Sequence, residues 1–574
     1  MKRWYLLAIA AVPLVLGSLE TSENTSVIWW TTHGMEKIRP YDPVPKELNQ
    51  KVRISAARNE FEPFQVILRG DNSDGETVDI EVTDLRGPNN ALVPKSNIAV
   101  YLERFLDLKT PSEVEGSTGE LPDPLVPRVD RYFHERRNAF PFKLSKNRNQ
   151  PVWIDVFVPP SIPGGSYQGK VQVLIAGKTL LNIPVELEVW DFQLPSTSSL
   201  ITTFAFSGGP AVRYHYGRYT SDTDVAALTT LYQKSALWHR ISLDGSSGLP
   251  PAISLVHNEV RVNWDKYDQQ IGPFMDGTAI SPHEPLAGAR LTSIVLHTPP
   301  SLTATAHQIQ FWRLAAAHFR AKGWFDRMFH YLWDEPAKSQ YDAMIREGQM
   351  VKQADPAVRN LVTAPLHPEW SDFVDIWTPV INCFEQHDGK DYCEMTVTRP
   401  GYEGELAKGK KLWWYQACST HGCNIIGSDY FRGWPGYMID DSPVRHRIME
   451  WLTWKYNIGG ELYFNTNEAY FKKKDPWTDV HLFGGNGDGT LFYPGRPDVI
   501  GGTTHIPIES LRLKLIREGL EDYEYLVMLE KLKGSKIVTG LLNSFIRSIN
   551  DFDQDPQTLY AVRQQIGQQL DGAK

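Results

Sequence analysis

Phe329-His330-Tyr331-Leu332-Trp333-Asp334-Glu335-Pro336 is the stretch on which the fold turns. It opens as a mostly apolar and aromatic run, the composition of a buried strand. It stops in two carboxylates and a proline, which cannot continue a hydrogen-bonded ladder. On either side, strand-like runs alternate with helical ones. Residues 290–296 precede a helical stretch at 306–322, and 327–333 precede another at 339–353. Residues 360–364, 373–377 and 412–415 read as strands, and a helix near 441–456 leads into 461–464. Upstream, 201–206 is followed by a helix at 222–238 and a short strand at 239–243. About eight such alternations over roughly 260 residues are what a (β/α)8 barrel of the TIM type needs. A doubly wound open sheet is the rival, and no glycine fingerprint follows a strand to support it.

The chain before this region has a different texture. Val52-Arg53-Ile54-Ser55, Phe64-Gln65-Val66-Ile67-Leu68, Trp153-Ile154-Asp155-Val156-Phe157-Val158 and Lys170-Val171-Gln172-Val173 alternate or run apolar, with Pro- and Gly-rich breaks between them. That pattern predicts an antiparallel β-sandwich. After the barrel, residues 509–532 predict a helix with an apolar stripe of Leu511, Leu515, Leu520, Tyr523 and Leu526 and an i,i+4 ion pair, Arg517 with Glu521. The expected organisation is multidomain: a signal peptide at 1–19, the sandwich at 27–193, the barrel at 200–535 and a short helical tail at 536–574, polar and packed on the outside.

A chain of 574 residues with a formal net charge of -9 carries no electrostatic case for nucleic acid or an anionic membrane as partner. Its 18 Trp, 24 Tyr and 24 Phe are enough to fill a large core and also to wall a pocket that stacks on sugar rings. Lys2 and Arg3 before the apolar run 4–17, with Gly17 and Ser18 at its end, have the pattern of an export signal. The run is too short for a comfortable membrane span, so a mature chain without a stable span, periplasmic or secreted, is expected. Four cysteines, spaced closely as Cys383/Cys393 and Cys418/Cys423, suit two local disulfides in an oxidising compartment. A four-cysteine zinc site is the alternative, but neither pair has the tight spacing of a zinc knuckle. The histidines are scattered without metal spacing; no metal and no cofactor are expected. Nothing bears on oligomeric state.

At the C-terminal end of a barrel strand, Asp334 and Glu335 stand where catalytic groups of such barrels sit. The plain alternative is that Asp334 caps the next helix, with Pro336 in its first turn. Neighbours on a strand face opposite ways, and an ordinary retaining glycosidase draws two carboxyls, roughly 5 Å apart, usually from different strands. An adjacent pair makes better sense where the substrate supplies the nucleophile, a 2-acetamido oxygen. Glu335 would then be general acid and base, and Asp334 would accept the acetamido N–H and stabilise the oxazolinium charge.

Trp333-Asp334-Glu335-Pro336 resembles the catalytic motif of glycoside hydrolase family 123, whose members are β-N-acetylgalactosaminidases. The likeness extends along the chain. Ala57-Arg58-Asn59-Glu60-Phe61-Glu62-Pro63-Phe64-Gln65 resembles the entry to that family's N-terminal sandwich. Pro122-Asp123-Pro124-Leu125 and Val189-Trp190-Asp191-Phe192 resemble later landmarks of the same domain. The run from Gly487 to Gly495 and Arg517-Glu518-Gly519-Leu520-Glu521-Asp522-Tyr523-Glu524-Tyr525 resemble the end of the barrel domain. The resemblance implies exo-acting, retaining, substrate-assisted release of β-linked N-acetylgalactosamine from a glycan, with Asp334 and Glu335 in the roles above. A β-N-acetylglucosaminidase, or a catalytically silent sugar-binding protein, are the alternatives on the same scaffold.

Other expected sugar contacts follow from strand ends. Lys411-Leu412-Trp413-Trp414-Tyr415-Gln416 resembles a family strand that walls the acetamido pocket, and Tyr415 is the candidate donor to the acetamido carbonyl. Trp413 and Trp414 are sugar contacts or core. Tyr463 and Asn465, ending a late strand, are placed to reach sugar hydroxyls, and Trp477 to stack on a ring. Arg240, beside His239, is a sugar contact or half of a structural ion pair. Arg128, Arg131, Arg136 and Arg137 interleave with Asp130 and Glu135 as a salt-bridged surface. The glycine-rich run 484–489 lacks the Lys of a phosphate loop and reads as an active-site loop.

Overall fold

The computed structural model describes residues 27–573 apart from 72–74, 245–249, 386–392, 394, 424–428 and 473; the expected signal segment lies outside the described residues. Two sheets form the N-terminal sandwich. In one, Val27–His33, Glu60–Gly70, Asn149–Val158, Ile98–Leu108 and Gly119–Pro127 pair antiparallel in that order. In the other, Val52–Arg58, Lys178–Gln193, Gly165–Ile175, Glu76–Val82 and Phe142–Leu144 follow one another. Every second residue points between the sheets, so Val66 and Leu68, Val152, Ile154 and Val156, Val171 and Val173, and Val185 and Leu187 make one buried core.

The sandwich departs from expectation in two ways. Val52–Arg58 runs parallel to Lys178–Gln193, not antiparallel. The first sheet is also completed from far down the chain: Phe492–Gly495 and Ile506–Ser510 form a hairpin whose Glu509 and Ser510 pair with Leu125 and Pro124. That hairpin belongs to the stretch expected in the barrel. Gly119–Pro127 would otherwise be an exposed sheet edge, and pairing removes its open hydrogen-bonding groups.

Beyond residue 200, eight parallel segments follow one another around a ring. Ile201–Phe204 pairs with Gly460–Tyr463 on one side and bridges to Leu243 on the other. Ile294–Leu296, Met328–Trp333, Asn360–Val362, Ile376–Trp377 and Lys411–Leu412 form a five-stranded parallel run. The chain continues through Trp413 into Trp414–Tyr415, which pairs with Gly460–Tyr463. Between Leu243 and Ile294–Leu296 side chains span the ring: Thr292 N donates to Ser242 Oγ at 2.7 Å. Helices Asp222–Trp238, Thr305–Ala321, Tyr341–Ala354 and Met449–Lys455 pack outside. Val295, Phe329, Leu361, Ile376, Trp413 and Leu462 fill the interior. The barrel is therefore a packed core, and ligand space is left at its rims.

Leu511–Lys533 was expected to show one apolar stripe; it is buried nearly all round, charges included. Arg517 pairs mainly with Asp155 of the sandwich, at 2.7 and 2.8 Å, and Glu521 lies farther off at 3.9 Å. Arg512 bonds Asp123, and Arg447 bonds Asp522. The tail is likewise not merely an outer layer. Arg563, on Pro556–Asp571, is buried against Glu60, Glu62 and Asp522. Each of these four buried arginines has an opposite charge in contact, as burial in a low-dielectric interior requires.

One buried group makes stability depend on pH. Glu461, on the barrel strand Gly460–Tyr463, faces outward beside Glu450, and Tyr437 donates to it at 2.6 Å. Burial pushes its carboxyl up to about 7. Folded protein therefore keeps this proton up to about pH 7, while unfolded chain sheds it near 4.5. The contribution is intact below about pH 4.5 and lost as pH rises towards 7 and beyond. Glu461→Gln should flatten that loss, on the order of 3 kcal/mol by pH 8. Thermal midpoints of the two proteins measured from pH 4.5 to 8 should diverge; parallel curves would refute the assignment.

Candidate active site

Asp334 and Glu335 follow directly on the fourth strand of the ring, Met328–Trp333. Two local irregularities let neighbours serve one cavity. The pairing with Asn360–Val362 shifts register between Tyr331 and Trp333, and such bulges redirect side chains. Glu335 then takes a φ of 41°, a left-handed conformation that a residue with a Cβ holds only when its surroundings impose it. What imposes it here is Thr363, at the end of the next strand. Its Oγ1 accepts from Glu335 N at 2.7 Å and donates to Asp334 Oδ1 at 2.9 Å.

Asp334 Oδ1 also accepts from the Tyr331 hydroxyl at 2.9 Å. Burial, then the Asp334 charge, pushes the Tyr331 hydroxyl well above its usual pKa, so it stays a donor. With Oδ1 held by two hydroxyls, Oδ2 is the acceptor Asp334 can offer a ligand. Glu335 turns the other way. Its Oε1 accepts from the hydroxyl of Tyr415, three strands along the ring, whose side chain packs with the barrel interior. Both carboxylates stand exposed at the rim. The arrangement is an anchored carboxylate next to one held by a single phenol, which is what an orienting group and a proton carrier need.

Of the remaining expected contacts, Tyr415 alone joins this pair, and its hydroxyl is engaged with Glu335. Trp413 is buried inside the barrel against Phe329, ring centroids 5.2 Å apart. Trp414 points the opposite way, under the helices, with its Nε1 donating to Thr453. Tyr463 is fully buried against Phe204 and Tyr437, and its hydroxyl accepts from Gly489 N. Asn465 spends its amide on Thr466 N, Asn467 N and Glu468. Trp477 packs on Tyr493 with its Nε1 on the Pro494 carbonyl. Arg240 joins the domains through Glu521, Pro195 O and Asn59 O. Each of these six has its polar atoms engaged within the protein or its ring packed against it, and none is brought to the Asp334–Glu335 pair. The Gly484–Gly489 stretch likewise packs inward: Arg512 donates to Gly487 O and Tyr463 meets Gly489 N.

Tyr331, Thr363 and His297 are the site residues that motif inspection overlooked. Tyr331 was legible in principle, three residues before Asp334 on the same strand. Thr363 carried no signal, since strand register is not written in one sequence. His297 follows the third strand, its ring 6.2 Å from Tyr331. Burial lowers its pKa, so it sits as a neutral imidazole at neutral pH. Beside it lies a cavity of about 270 Å³ lined by Pro250, Pro251, Tyr267, Pro299 and Phe311 among others. Both cysteine pairs, Cys383–Cys393 and Cys418–Cys423, are disulfides.

Comparison with known proteins bears on the family and the fold. Residues 299–529 match the family model described as the catalytic domain of glycoside hydrolase 123, and residues 35–175 match that of the glycoside hydrolase 123 N-terminal domain. A family 123 glycoside hydrolase from Clostridium perfringens, studied for glycolipid glycan hydrolysis, is similar in structure with a TM-score of 0.66 at 15% identity. The match covers 95% of this chain and 97% of that one. A Bacteroides ovatus xyloglucanase of family 5 covers 82% of this chain and 98% of its own at 8% identity, but its TM-score of 0.28 carries no weight. No curated protein matches the sequence. The two domain matches make the chain a glycoside hydrolase. With both domain models matched in order over more than half of its length, the chain belongs to glycoside hydrolase family 123.

Proposed function

We propose that this protein is an exo-acting, retaining β-N-acetylgalactosaminidase that uses the 2-acetamido group of its substrate as nucleophile. The observation that carries the proposal is the adjacency of Asp334, braced through Oδ1 with Oδ2 available, to Glu335. The acetamido oxygen attacks C1 while the glycosidic C–O bond breaks, and Glu335 passes its proton to the departing oxygen. Asp334 accepts the acetamido N–H and balances the charge of the oxazolinium formed. Glu335, now a carboxylate, takes a proton from water, which attacks C1 and reopens the ring, restoring the acetamide and the protonated acid. Two displacements at C1 retain configuration. Tyr415 holds Glu335 before the sugar arrives and donates to the acetamido carbonyl once it is bound; hydrogen bonds of this kind commonly rearrange on substrate binding.

Export is part of the proposal, supported by the charged and apolar start of the sequence and by two disulfides, which persist in oxidising compartments. Nitrophenyl glycosides differing at C2 and C4 provide the test. The β-N-acetylgalactosaminide should be cleaved far faster than the β-galactoside, which brings no nucleophile, and faster than the β-N-acetylglucosaminide. Equal rates on the first two would rule out acetamido participation; a preference for the third would reassign the sugar.

A further inference from the structure

Apart from Asp334 and Glu335, three segments distant in sequence bring together a set of metal-ligating side chains. Glu113 comes from the loop of the sandwich between Ile98–Leu108 and Gly119–Pro127. His421 ends the turn Cys418–His421, which the Cys418–Cys423 disulfide closes. Asp441 precedes the helix Pro443–Arg447. All three are buried, and one ligand atom from each lies within 4.8 Å of the others.

Their hydrogen bonding is incomplete in a telling way. Among the described residues, Glu113 Oε2 and Asp441 Oδ1 have no hydrogen-bond partner, and no side chain bonds either ring nitrogen of His421. Asp441 Oδ2 is 3.9 Å from His421 Nε2, beyond hydrogen-bond distance, and accepts instead from Met438 N. The Pro435 carbonyl accepts a weak hydrogen bond from one imidazole nitrogen, which leaves the other for a ligand. An orphaned buried polar atom costs about 1–3 kcal/mol, more for a charge, so one from each of three side chains in one pocket calls for a shared partner. Arg445 does not fill that role. It is committed to Glu113 Oε1 at 2.5 Å and to Glu115, and stands 3.6 Å from Asp441 Oδ1.

We infer that Glu113, His421 and Asp441 bind one divalent transition-metal ion of the zinc type, which pins the sandwich loop to the disulfide loop of the barrel rim. One imidazole nitrogen and two carboxylate oxygens suit such an ion, whereas calcium takes six to eight oxygens. Bonds of about 2.0–2.2 Å would bring the ligand atoms to roughly 3.5 Å apart, so the cluster closes by about an ångström on binding. Three protein ligands leave the fourth position to a water, and because all three ligands are buried the role is to hold the two loops together. His421 lies six residues beyond Tyr415, and fixing its loop steadies the strand end that holds Glu335.

The test uses the full-length protein, stripped with chelator, desalted and titrated with zinc chloride alone. One zinc per chain should survive desalting, and the thermal midpoint should rise by several degrees, reversibly with chelator. Glu113→Gln and His421→Gln should each weaken binding on the order of 100-fold or more. If either variant fails to fold, cobalt added to stripped wild type should give visible bands of a nitrogen–oxygen ligand set that zinc abolishes. No retained zinc and an unmoved midpoint overturn the inference. So does undiminished binding by folded variants, which would place the zinc adventitiously on others of the 16 histidines.

Discussion

Glu335→Ala should lose most of its activity on natural oligosaccharides and regain much of it on aryl glycosides whose leaving group departs readily as an anion. In the proposed mechanism Glu335 supplies a proton to the leaving oxygen, and a stable phenolate needs little. Asp334→Ala acts on the acetamido side, so its loss, on the order of 10²-fold or more, should be similar for both leaving groups. Asp334→Asn should fare little better. A neutral amide keeps the shape that meets Tyr331 and Thr363 but cannot balance a positive oxazolinium. The quantity to measure is the ratio of each variant's kcat/KM loss across leaving groups. Rescue of Asp334→Ala instead of Glu335→Ala would exchange the two roles, and full activity in both would place the chemistry elsewhere.

A second large effect is expected far from the rim. Burial alone would raise the Asp155 carboxyl, but Arg517 and Lys514 outweigh it and hold it below the usual carboxylate range. Asp155→Ala leaves those two cations buried with less compensation, Lys514 keeping Glu509 at 2.8 Å and Arg517 keeping Glu518 at 2.8 Å. The loss should be about 3–5 kcal/mol, read as a lowered denaturation midpoint. Asp155→Ala combined with Arg517→Met removes the abandoned charge with its partner and should recover part of that loss. A deficit under about 1 kcal/mol for the single variant would mean that water enters the interface freely.

The barrel and the two carboxylates at its rim were legible in the sequence because both depend on local pattern. A strand ending in Trp333-Asp334-Glu335-Pro336 announces itself by composition, and Tyr415 by its place at another strand end. Facing was harder to read. Trp413 and Trp414 are neighbours with the same chemistry, yet one fills the barrel and the other lies beneath the helices, and only strand register decides which. Tyr463, Asn465 and Trp477 looked like sugar contacts because they are polar or aromatic near strand ends; the structure commits their polar atoms to turns and loop backbones. Arg240 was ambiguous for a further reason, since its partners Asn59 and Glu521 come from opposite ends of the chain. The buried charges of Leu511–Lys533 resemble a solvated helix face in one dimension and become an interdomain bolt in three. The same limit hid Glu113, His421 and Asp441, which share no spacing.

The hairpin that completes the first sheet has a temporal consequence. Gly119–Pro127 emerges early in synthesis, but its outer neighbour, Ile506–Ser510, arrives only near the end. The Arg512–Asp123 contact that accompanies this pairing joins residues 389 positions apart. Until then the nascent sandwich carries a raw edge, the kind of surface on which chains stick to one another. The first half of the molecule cannot finish folding until almost all of the second half has been made. A fragment cut at the apparent boundary near residue 195 should therefore aggregate, while the remaining piece would carry a hairpin with no sheet to join.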